Sequence, residues 1–424
     1  LLIKERGKMD KIKVAIIGTG NRTRKVYTPL FKSLNNDRDI VAVCDPNKES
    51  CSEYANLLGV KPYYSIKKLV NDKIITAALV VCPIDIHYAL SIYLSENKIH
   101  QLIDTSMCST VEQGRLMVER AAENNVVMRI AENFLRFPFD RIAKEINKTK
   151  FIGEVKRIVC YHDHTGYHNN SRWTHFFDEY PESVQCIDHL MPTLPHNSMA
   201  HRHHTSENFT SRFFRFPNNK LVVDQAANIK GMLGRTGRPG ITSIEGSRGA
   251  ISRWTTRNWF GDGEVRFCSD SALENGAIAD EIYPIINEAD NNCWTQTYVD
   301  LPTGRVTYTN NNYHLAEESV KYTSPGTKNI IRDYYGSALR SAITDFLETV
   351  KNGERSEFSG EDALMSLMME SAAKESAANN GIIIKLPIEQ ELEVDRKQLV
   401  ALEKKNGVNP MDVDQIIELS IARP

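Results

Sequence analysis

The stretch Val14-Ala15-Ile16-Ile17-Gly18-Thr19-Gly20-Asn21-Arg22-Thr23 predicts the fold of the first part of the chain. Its apolar start indicates a buried strand, and the two glycines then allow a tight turn before a helix begins. Gly18 would permit the turn, and Gly20 would let a pyrophosphate approach the backbone because no Cβ stands in the way. The helix that follows would present unpaired N–H groups and a positive dipole end to that anion. The stretch therefore predicts a dinucleotide-binding turn.

The third glycine of the usual G-x-G-x-x-G pattern is absent, since Thr23 occupies its position. An acid in the expected place supports the prediction, because Asp45 ends the second predicted strand. A carboxylate there can accept hydrogen bonds from a ribose 2′-hydroxyl and would repel a 2′-phosphate. The sequence therefore favours NAD over NADP, although the nearby cations Arg22 and Lys48 leave NADP open. The alternative is a glycine turn and a capping aspartate in a domain that binds no nucleotide.

Outward from this turn, the first third of the chain alternates short apolar runs with amphipathic segments. The predicted strands are Val14–Ile17, Ile40–Cys44, Ala77–Val81, Leu102–Ile103 and Val126–Ile130. The predicted helices are Lys25–Leu34, Lys48–Leu58, Tyr88–Glu96 and Val111–Asn124. Runs that are apolar on both faces are typical of parallel strands covered by helices on each side. We therefore expect an α/β fold that begins with an N-terminal Rossmann domain, a doubly wound parallel sheet, over residues 9–137.

The pattern changes after residue 137. A predicted helix at Asp140–Lys148 is followed by strand-like segments, which are separated by turns rich in Gly, Asn and Pro. These segments are Glu154–Tyr161, Phe209–Arg215, Leu221–Ala227, Thr242–Glu245 and Arg305–Thr309. Two helices then return, at Ser337–Val350 and Gly360–Asn379. We expect a C-terminal α+β domain over 138–387 with a large, mostly antiparallel open sheet, including the returning helices 337–379, and a helical tail over 388–424.

Composition and charge exclude several classes of protein. The 424 residues include 52 Lys and Arg against 54 Asp and Glu, a formal charge of −2. No apolar run approaches the roughly 18 residues that cross a bilayer, and near-neutral charge gives no footprint for nucleic acid or a membrane surface. The eight scattered cysteines form no C-x-x-C pair, which indicates reduced thiols. We expect a soluble cytoplasmic protein with no nucleic-acid and no membrane partner.

Further motifs, taken in order, resemble those of the Gfo/Idh/MocA (glucose–fructose oxidoreductase / inositol dehydrogenase) family. Val81-Cys82-Pro83-Ile84-Asp85-Ile86-His87 resembles the family's TPNxxH loop, and Ala131-Glu132-Asn133-Phe134-Leu135-Arg136-Phe137 resembles its eNyRf segment. Ser359-Gly360-Glu361-Asp362-Ala363 resembles part of its later pattern. The resemblance implies NAD(P)-dependent oxidation or reduction of a carbinol or keto carbon of a sugar, sugar derivative or cyclitol. It also implies a cleft between the domains for nicotinamide and sugar, and a homodimer or homotetramer formed through the C-terminal sheet.

The turn, the acid and the resemblance together define the candidate cofactor residues. These are Gly18, Thr19, Gly20, Asn21, Arg22, Asp45, Cys82, Pro83, His87, Asp104 and Asn133.

Two departures from the family pattern concern the catalytic residues. The family's catalytic lysine stands in an EKP tripeptide after the fifth strand, where this chain has Thr105 and then Ser106. The family's D-x-x-x-H motif fits Gln185-Cys186-Ile187-Asp188-His189, with Gln185 in place of the acid. His189 is therefore the expected base, because histidine takes up and returns protons near neutral pH. Thr105 and Tyr161 are further catalytic candidates.

Alternatives to this interpretation stay open. One is that His189 is a hydrogen-bonded histidine in the wall between the domains, and Tyr161, His162 or His164 could replace the missing lysine. The altered set also suits a redox-assisted lyase or glycosidase with tightly bound NAD, or a nucleotide-binding homologue that has lost catalysis.

Nine of the twelve histidines fall between His162 and His204. The H-x-H pair His162-Asp163-His164 could chelate a metal with His168, His175 or His189, but the spacing matches no known signature, so a metal stays open. The composition of Tyr167-His168-Asn169-Asn170-Ser171-Arg172-Trp173 suits sugar binding, and Arg172 could hold a carboxylate or phosphate on the sugar or form an ordinary ion pair. We expect an exposed loop at His201–His204. The candidate substrate residues are His162, His164, Tyr167, His168, Arg172, Trp173 and Gln185.

Overall fold

The computed structural model describes residues 11–33, 38–161, 166–197, 203–227, 240–255, 263–276, 278–290, 293–312, 334–353 and 356–419. The chain forms two compact units. The first unit comprises Leu1–Ala131, Ala342–Gly360 and Leu399–Pro424, and the second comprises Glu132–Ser341 and Glu361–Gln398. Three stretches of chain therefore build the first unit, whereas the sequence predicted one continuous domain over 9–137. The reason is that later segments pack back onto it, which no local pattern indicates.

A six-stranded parallel sheet organises the first unit. Its strands, numbered along the chain, are β1 (Ile12–Ile17), β2 (Arg38–Cys44), β3 (Lys61–Tyr63), β4 (Ala77–Val80), β5 (His100–Ile103) and β6 (Met128–Ile130). They lie in the order β3-β2-β1-β4-β5-β6, with β1 parallel to both β2 and β4. Ala15 and Ile16 are fully buried, as expected for a central strand covered on both faces. This arrangement confirms the predicted doubly wound parallel sheet.

A larger, mostly antiparallel sheet organises the second unit. The remaining strands are β7 (Val155–Tyr161), β8 (Ser183–Asn197), β9 (His203–Phe216), β10 (Lys220–Ala227), β11 (Gly240–Gly246), β12 (Gly249–Thr255), β13 (Gly263–Phe267), β14 (Glu281–Pro284), β15 (Ile286–Asp290), β16 (Cys293–Leu301), β17 (Gly304–Thr309) and β18 (Ile384–Lys385). Among the residues that the structure describes, nine of these strands form one sheet in the order β14-β13-β12-β11-β7-β10-β9-β8-β18, in which only β7 and β10 pair in parallel. The sheet confirms the predicted α+β architecture.

Twelve α-helices occur in the described part of the chain. They are α1 (Thr28–Ser33), α2 (Lys48–Leu58), α3 (Ile66–Asn71), α4 (His87–Glu96), α5 (Val111–Glu123), α6 (Pro138–Thr149), α7 (Tyr167–Phe177), α8 (Asp270–Glu274), α9 (Tyr334–Asn352), α10 (Gly360–Ala378), α11 (Glu393–Asn406) and α12 (Val413–Ile417). A π-helical turn, Thr23–Tyr27, precedes α1. Over the residues described, no helix is both long and apolar enough to cross a membrane.

Two segments differ from the sequence-based expectation. The stretch around His168, for which the sequence predicted sugar binding but no helix, forms helix α7. Its polar Asn169, Asn170 and Arg172 are buried, so the usual apolar helical pattern is missing. His203 and His204 open strand β9 instead of lying in a loop. They are paired there with β8, a contact that depends on a distant segment.

Candidate active site

The turn after β1 has a backbone conformation that requires glycine. Gly18 has φ +95°, and a Cβ built on it would lie 2.1 Å from the carbonyl oxygen of Val81. Thr23, which stands where the third glycine is usual, is fully buried, and its hydroxyl donates to the Gly18 carbonyl at 2.7 Å. The threonine therefore closes the turn with a hydrogen bond that a glycine could not make.

Asp45 is hydrogen-bonded to the glycine turn. Its Oδ2 accepts from the backbone N–H of Thr19 at 2.8 Å and from the Thr19 hydroxyl at 2.9 Å. Its Oδ1 accepts from the backbone N–H of Asn47 at 2.9 Å. These bonds hold the carboxylate at the ends of β1 and β2, where the acid of a dinucleotide site contacts ribose.

A cavity of about 450 Å³ opens at these strand ends in the first unit. Its volume is in the range of roughly 300–1,000 Å³ that small-molecule sites occupy. Five of the predicted cofactor residues, Gly18, Gly20, Asp45, Cys82 and Pro83, line it. The other lining residues are Ile17, Cys44, Pro46, Asn47, Ser50, Tyr64, Ser65, Ile66, Ile86, Leu90, Ile416, Ile417, Glu418 and Leu419. The bare turn, the carboxylate and the apolar walls fit the adenosine and diphosphate of a dinucleotide.

Arg22, one of the two cations that kept NADP open, is bound to an acid in the structure. The guanidinium of Arg22 binds both carboxylate oxygens of Asp104, with Nη2 at 2.9 Å from Oδ1. The Tyr27 hydroxyl donates to the same Oδ1 at 2.7 Å. Asp104, a predicted cofactor residue, is thus a buried partner of Arg22. Among the described residues that line the cavity, none is Lys or Arg.

His87, another predicted cofactor residue, lies in the protein interior. Its Nδ1 is 2.9 Å from the carbonyl oxygen of Ser106, and its Nε2 is 3.0 Å from that of Cys82. Burial lowers the pKa of His87, since desolvation disfavours the imidazolium. The ring therefore ties the loop after β4 to the loop after β5, next to the half-buried Thr105. It positions Cys82 at the cavity wall.

In the second unit, a buried carboxylate holds a histidine. Nδ1 of His168 lies 2.9 Å from Oε2 and 3.1 Å from Oε1 of Glu132, which is fully buried. The His168 side chain is 26 % exposed. Oε1 of Glu132 also accepts the backbone N–H groups of Asn133 and Phe134, at 2.9 and 3.0 Å. A carboxylate on Nδ1 fixes the ring orientation and favours the tautomer protonated at Nδ1.

Polar and aromatic groups surround this pair. The Phe134 ring lies 4.5 Å from the His168 ring, centroid to centroid. Asn133 is 1 % exposed, and its Nδ2 is buried without a hydrogen-bond partner among the residues that the structure describes. An orphaned buried amide is uncommon in folded proteins, and it leaves Asn133 with a donor that a ligand can use. Tyr167 is buried at the start of the same helix, α7.

The other predicted substrate residues of α7 have partners in the core. Nε of Arg172 donates to Asp140 at 2.7 Å, and Nη1 donates to Asn169 at 3.1 Å. Arg172 and Trp173 are 2 % and 1 % exposed. The contacts of Arg172 are therefore those of the ordinary ion pair that the sequence left open, and a buried ion pair of this kind holds α7 against α6.

The remaining candidates lie on strands or outside the described residues. His189 lies on β8 opposite Phe209 and is exposed, and Gln185 donates to the Gly381 carbonyl at 2.8 Å. Tyr161 ends β7. His162 and His164 lie outside the described residues. Within the described ranges no three His, Cys, Asp or Glu side chains are grouped as a metal site would need.

Sequence reasoning missed two sets of site residues. Glu132 lies in the segment that resembles eNyRf but was not among the candidates, although an acid directly after a buried strand is a signal in itself. The cavity residues Ile416, Ile417, Glu418 and Leu419 carry no signal, because nothing local links them to the glycine turn at the other end of the sequence.

Comparison with known proteins adds to this geometry. The model of the oxidoreductase family with an NAD-binding Rossmann fold, Gfo/Idh/MocA, matches residues 12–132. An uncharacterised oxidoreductase of Schizosaccharomyces pombe is 25 % identical over 169 residues, which are 39 % of this chain and 45 % of that protein. The NADP⁺-dependent scyllo-inositol 2-dehydrogenase of Bacillus subtilis is 24 % identical over 132 residues, 31 % of this chain and 36 % of that protein. Each match thus spans less than half of the curated relative.

Solved structures share the fold over most of the chain. Levoglucosan dehydrogenase, in complex with NADH and levoglucosan, matches with a TM-score of 0.63 at 17 % identity, over 89 % of this chain and 100 % of that one. At this identity the likeness shows the fold alone. The residues that match the family model include the parallel sheet, the turn at Gly18 and the acid Asp45. Residues 12–132 are therefore similar to the NAD-binding Rossmann domain of the Gfo/Idh/MocA oxidoreductase family.

Proposed function

We propose that this protein is an NAD-dependent oxidoreductase that acts on a carbinol or keto carbon of a sugar, sugar derivative or cyclitol. The observation that carries the proposal is the cavity in which the glycine turn and Asp45 meet, inside the segment that matches an NAD-binding oxidoreductase family. The substrate class is supported by two similar proteins, an inositol dehydrogenase and a levoglucosan dehydrogenase.

The residues of the first unit would bind the cofactor. Backbone N–H groups after Gly18 would hold the diphosphate, and Asp45 would accept hydrogen bonds from the adenosine ribose. NAD is favoured over NADP because Asp45 would repel a 2′-phosphate and because Arg22 is held by Asp104. When bound, the nicotinamide supplies the hydride chemistry of the reaction, and the protein supplies orientation and proton transfer.

His168 would move the proton. With Nδ1 protonated and hydrogen-bonded to Glu132, the ring nitrogen that accepts a substrate hydroxyl proton is Nε2. The buried carboxylate holds the ring in place for that transfer, as the orienting acid of a catalytic triad does. His189, the base expected from the sequence, remains the second candidate for this role. Asn133 and Tyr167 would bind substrate hydroxyls beside the base.

Copies of the chain would assemble through the large sheet. Strand β8 exposes Ile187, Leu190 and Leu194, at 54, 67 and 80 % of their surface. Exposed apolar side chains grouped on one strand favour an interface between copies of the chain. A homodimer or homotetramer through the large sheet is therefore expected, and light scattering of the purified protein with and without Leu194→Lys tests it.

Enzyme assays test the activity. Purified protein is incubated with NAD⁺ or NADP⁺ and a panel of sugars and cyclitols, while nicotinamide absorbance is followed. We expect reduction of NAD⁺ with at least one substrate, its loss in His168→Ala, and its retention in the control His175→Ala. Activity retained by His168→Ala but lost in His189→Ala would assign the base to His189. Bond cleavage without net NADH would instead favour a redox-assisted lyase or glycosidase, and no NAD binding would refute the proposal.

A further inference from the structure

We infer that the segment Val413–Leu419 is part of the cofactor site and forms a wall of its adenosine half. The inference rests on the proposed binding of NAD. It concerns a stretch of chain that lies outside residues 12–132, the part that matches the NAD-binding family.

The cavity geometry places this segment beside the ribose acid. Ile416, Ile417, Glu418 and Leu419 line the same cavity as Asp45 and the glycine turn. Ile416 is 1 % exposed, so the segment is packed and not merely adjacent. In a dinucleotide site, the acid at the end of the second strand binds the adenosine ribose. The walls of the cavity that Asp45 lines therefore face adenosine and not nicotinamide.

Several contacts fix the segment on the first unit. Helix α12 packs against α4. The buried Gln113 donates from Nε2 to the Pro410 carbonyl at 3.1 Å, just before the segment. Asp412 caps α12 by accepting from the Gln415 N–H at 3.0 Å. Such caps and buried bonds are each worth about 1 kcal/mol, which is enough to define one docked position when they act together.

Ion pairs tie both the segment and the helix before it, α11, to elements that shape the cavity. Nζ of Lys405 lies 2.6 Å from Oδ2 of Asp85, which is buried in the loop between Pro83 and Ile86. Nζ of Lys67, in α3, lies 2.8 Å from Oε1 of Glu418 and 3.4 Å from Oδ1 of Asp414. The exposed pairs with Lys67 contribute little energy but set the register of the segment.

The chemistry of this wall suits an adenosine that lacks a 2′-phosphate. Ile417 and Leu419 present apolar surface, together with Ile66 and Leu90, which suits the flat faces of adenine. The charged groups that line the cavity among the described residues are the carboxylates of Asp45 and Glu418. Glu418 is paired with Lys67, whereas the carboxylate of Asp45 disfavours an additional phosphate. The ligand class of this half of the site is therefore an adenosine 5′-phosphate group, as in NAD.

The test measures the two halves of the cofactor separately. The full chain carrying Ile417→Ala is titrated calorimetrically with NAD⁺, with 5′-AMP and with nicotinamide mononucleotide. Val400→Ala, a change at an exposed valine of α11, is the matched control. We expect affinity for NAD⁺ and 5′-AMP to fall by about three- to tenfold, because the shorter side chain covers less of the adenine ring. Affinity for nicotinamide mononucleotide should not change.

Each outcome of these titrations either supports or overturns the role of Val413–Leu419. Loss confined to the adenosine ligands supports the inference. Unchanged affinity for 5′-AMP in both Ile417→Ala and a second variant, Leu419→Ala, overturns it while leaving NAD binding intact. An equal loss for all three ligands also overturns it, because the effect would not be local to adenosine. If the unaltered protein binds neither NAD⁺ nor 5′-AMP, the proposed function fails instead, which distinguishes the two failures.

Discussion

Nδ1 of His168 lies 2.9 Å from Oε2 of Glu132, and the carboxylate is fully buried whereas the imidazole remains partly exposed. This combination is what a general base requires, because the acid fixes the ring from the inside while the ring can still meet a substrate.

Glu132→Gln tests that relationship. The amide keeps an oxygen for the N–H groups of Asn133 and Phe134 but turns an NH₂ group toward Nδ1, which favours the opposite tautomer. We expect kcat to fall by about a hundredfold, with KM and NAD⁺ affinity little changed. The control is Glu154→Gln at an exposed surface pair. A variant with full kcat would remove Glu132 from the mechanism.

Asp45→Asn tests the acid of the nucleotide cavity. The substitution removes the charge that would repel a 2′-phosphate but keeps an oxygen for the Thr19 N–H. We expect NAD⁺ affinity to fall about tenfold and the preference for NAD⁺ over NADP⁺ to shrink, as isothermal titration would measure. Asp39→Asn, at an exposed ion pair, should change neither. An unaltered preference would contradict the assigned role of Asp45.

Gly18→Ala and Gly59→Ala distinguish two ways in which an added Cβ lowers stability, namely backbone strain at positive φ and a clash with neighbouring atoms. Both glycines have positive φ, +95° and +67°, but only at Gly18 would the new Cβ strike backbone, 2.1 Å from the Val81 oxygen. We expect Gly59→Ala to lower the free energy of unfolding by about 1 kcal/mol, and Gly18→Ala to lower it by roughly 3 kcal/mol or more. Urea unfolding measures both. Equal losses would mean that the turn after β1 relaxes freely.

His100 should make stability depend on pH. Burial lowers the pKa of His100, and its Nδ1 accepts the Val127 N–H at 3.0 Å, a bond that a protonated Nδ1 cannot make. The unfolded chain therefore takes up the proton first, so the stabilisation is present above the ordinary value of 6.5 and is lost as pH falls below it.

The control for this effect is His100→Asn, whose Oδ1 can accept the same N–H without titrating. Below pH 6.5 the free energy of unfolding should fall more steeply for the unaltered protein than for the variant, by at most about 1.4 kcal/mol per pH unit. If urea unfolding gave the same pH dependence of the free energy of unfolding for both proteins, His100 would not be the source of that dependence.

Much of the architecture could be predicted from sequence because its causes are local. Apolar runs predicted the parallel strands, and helix α2 agrees in both bounds with the prediction, since Asn47 caps its start and Gly59 ends it. The turn at Gly18 is equally local, because a positive φ and close backbone contact require glycine. Helix α7 escaped prediction because its buried Asn169, Asn170 and Arg172 are satisfied by partners from other elements, so polarity there does not mean exposure.

What the sequence by itself determined is thus the Rossmann turn, its acid and the two kinds of sheet, which depend on neighbouring residues. Only the tertiary structure decided that Glu132 holds His168, that Asp104 occupies Arg22, and that Ile417 lines the cavity of Asp45. Each of these contacts joins residues far apart in the chain. Side-chain packing and the burial of charge select such pairs, and neither has a periodic signature along the sequence.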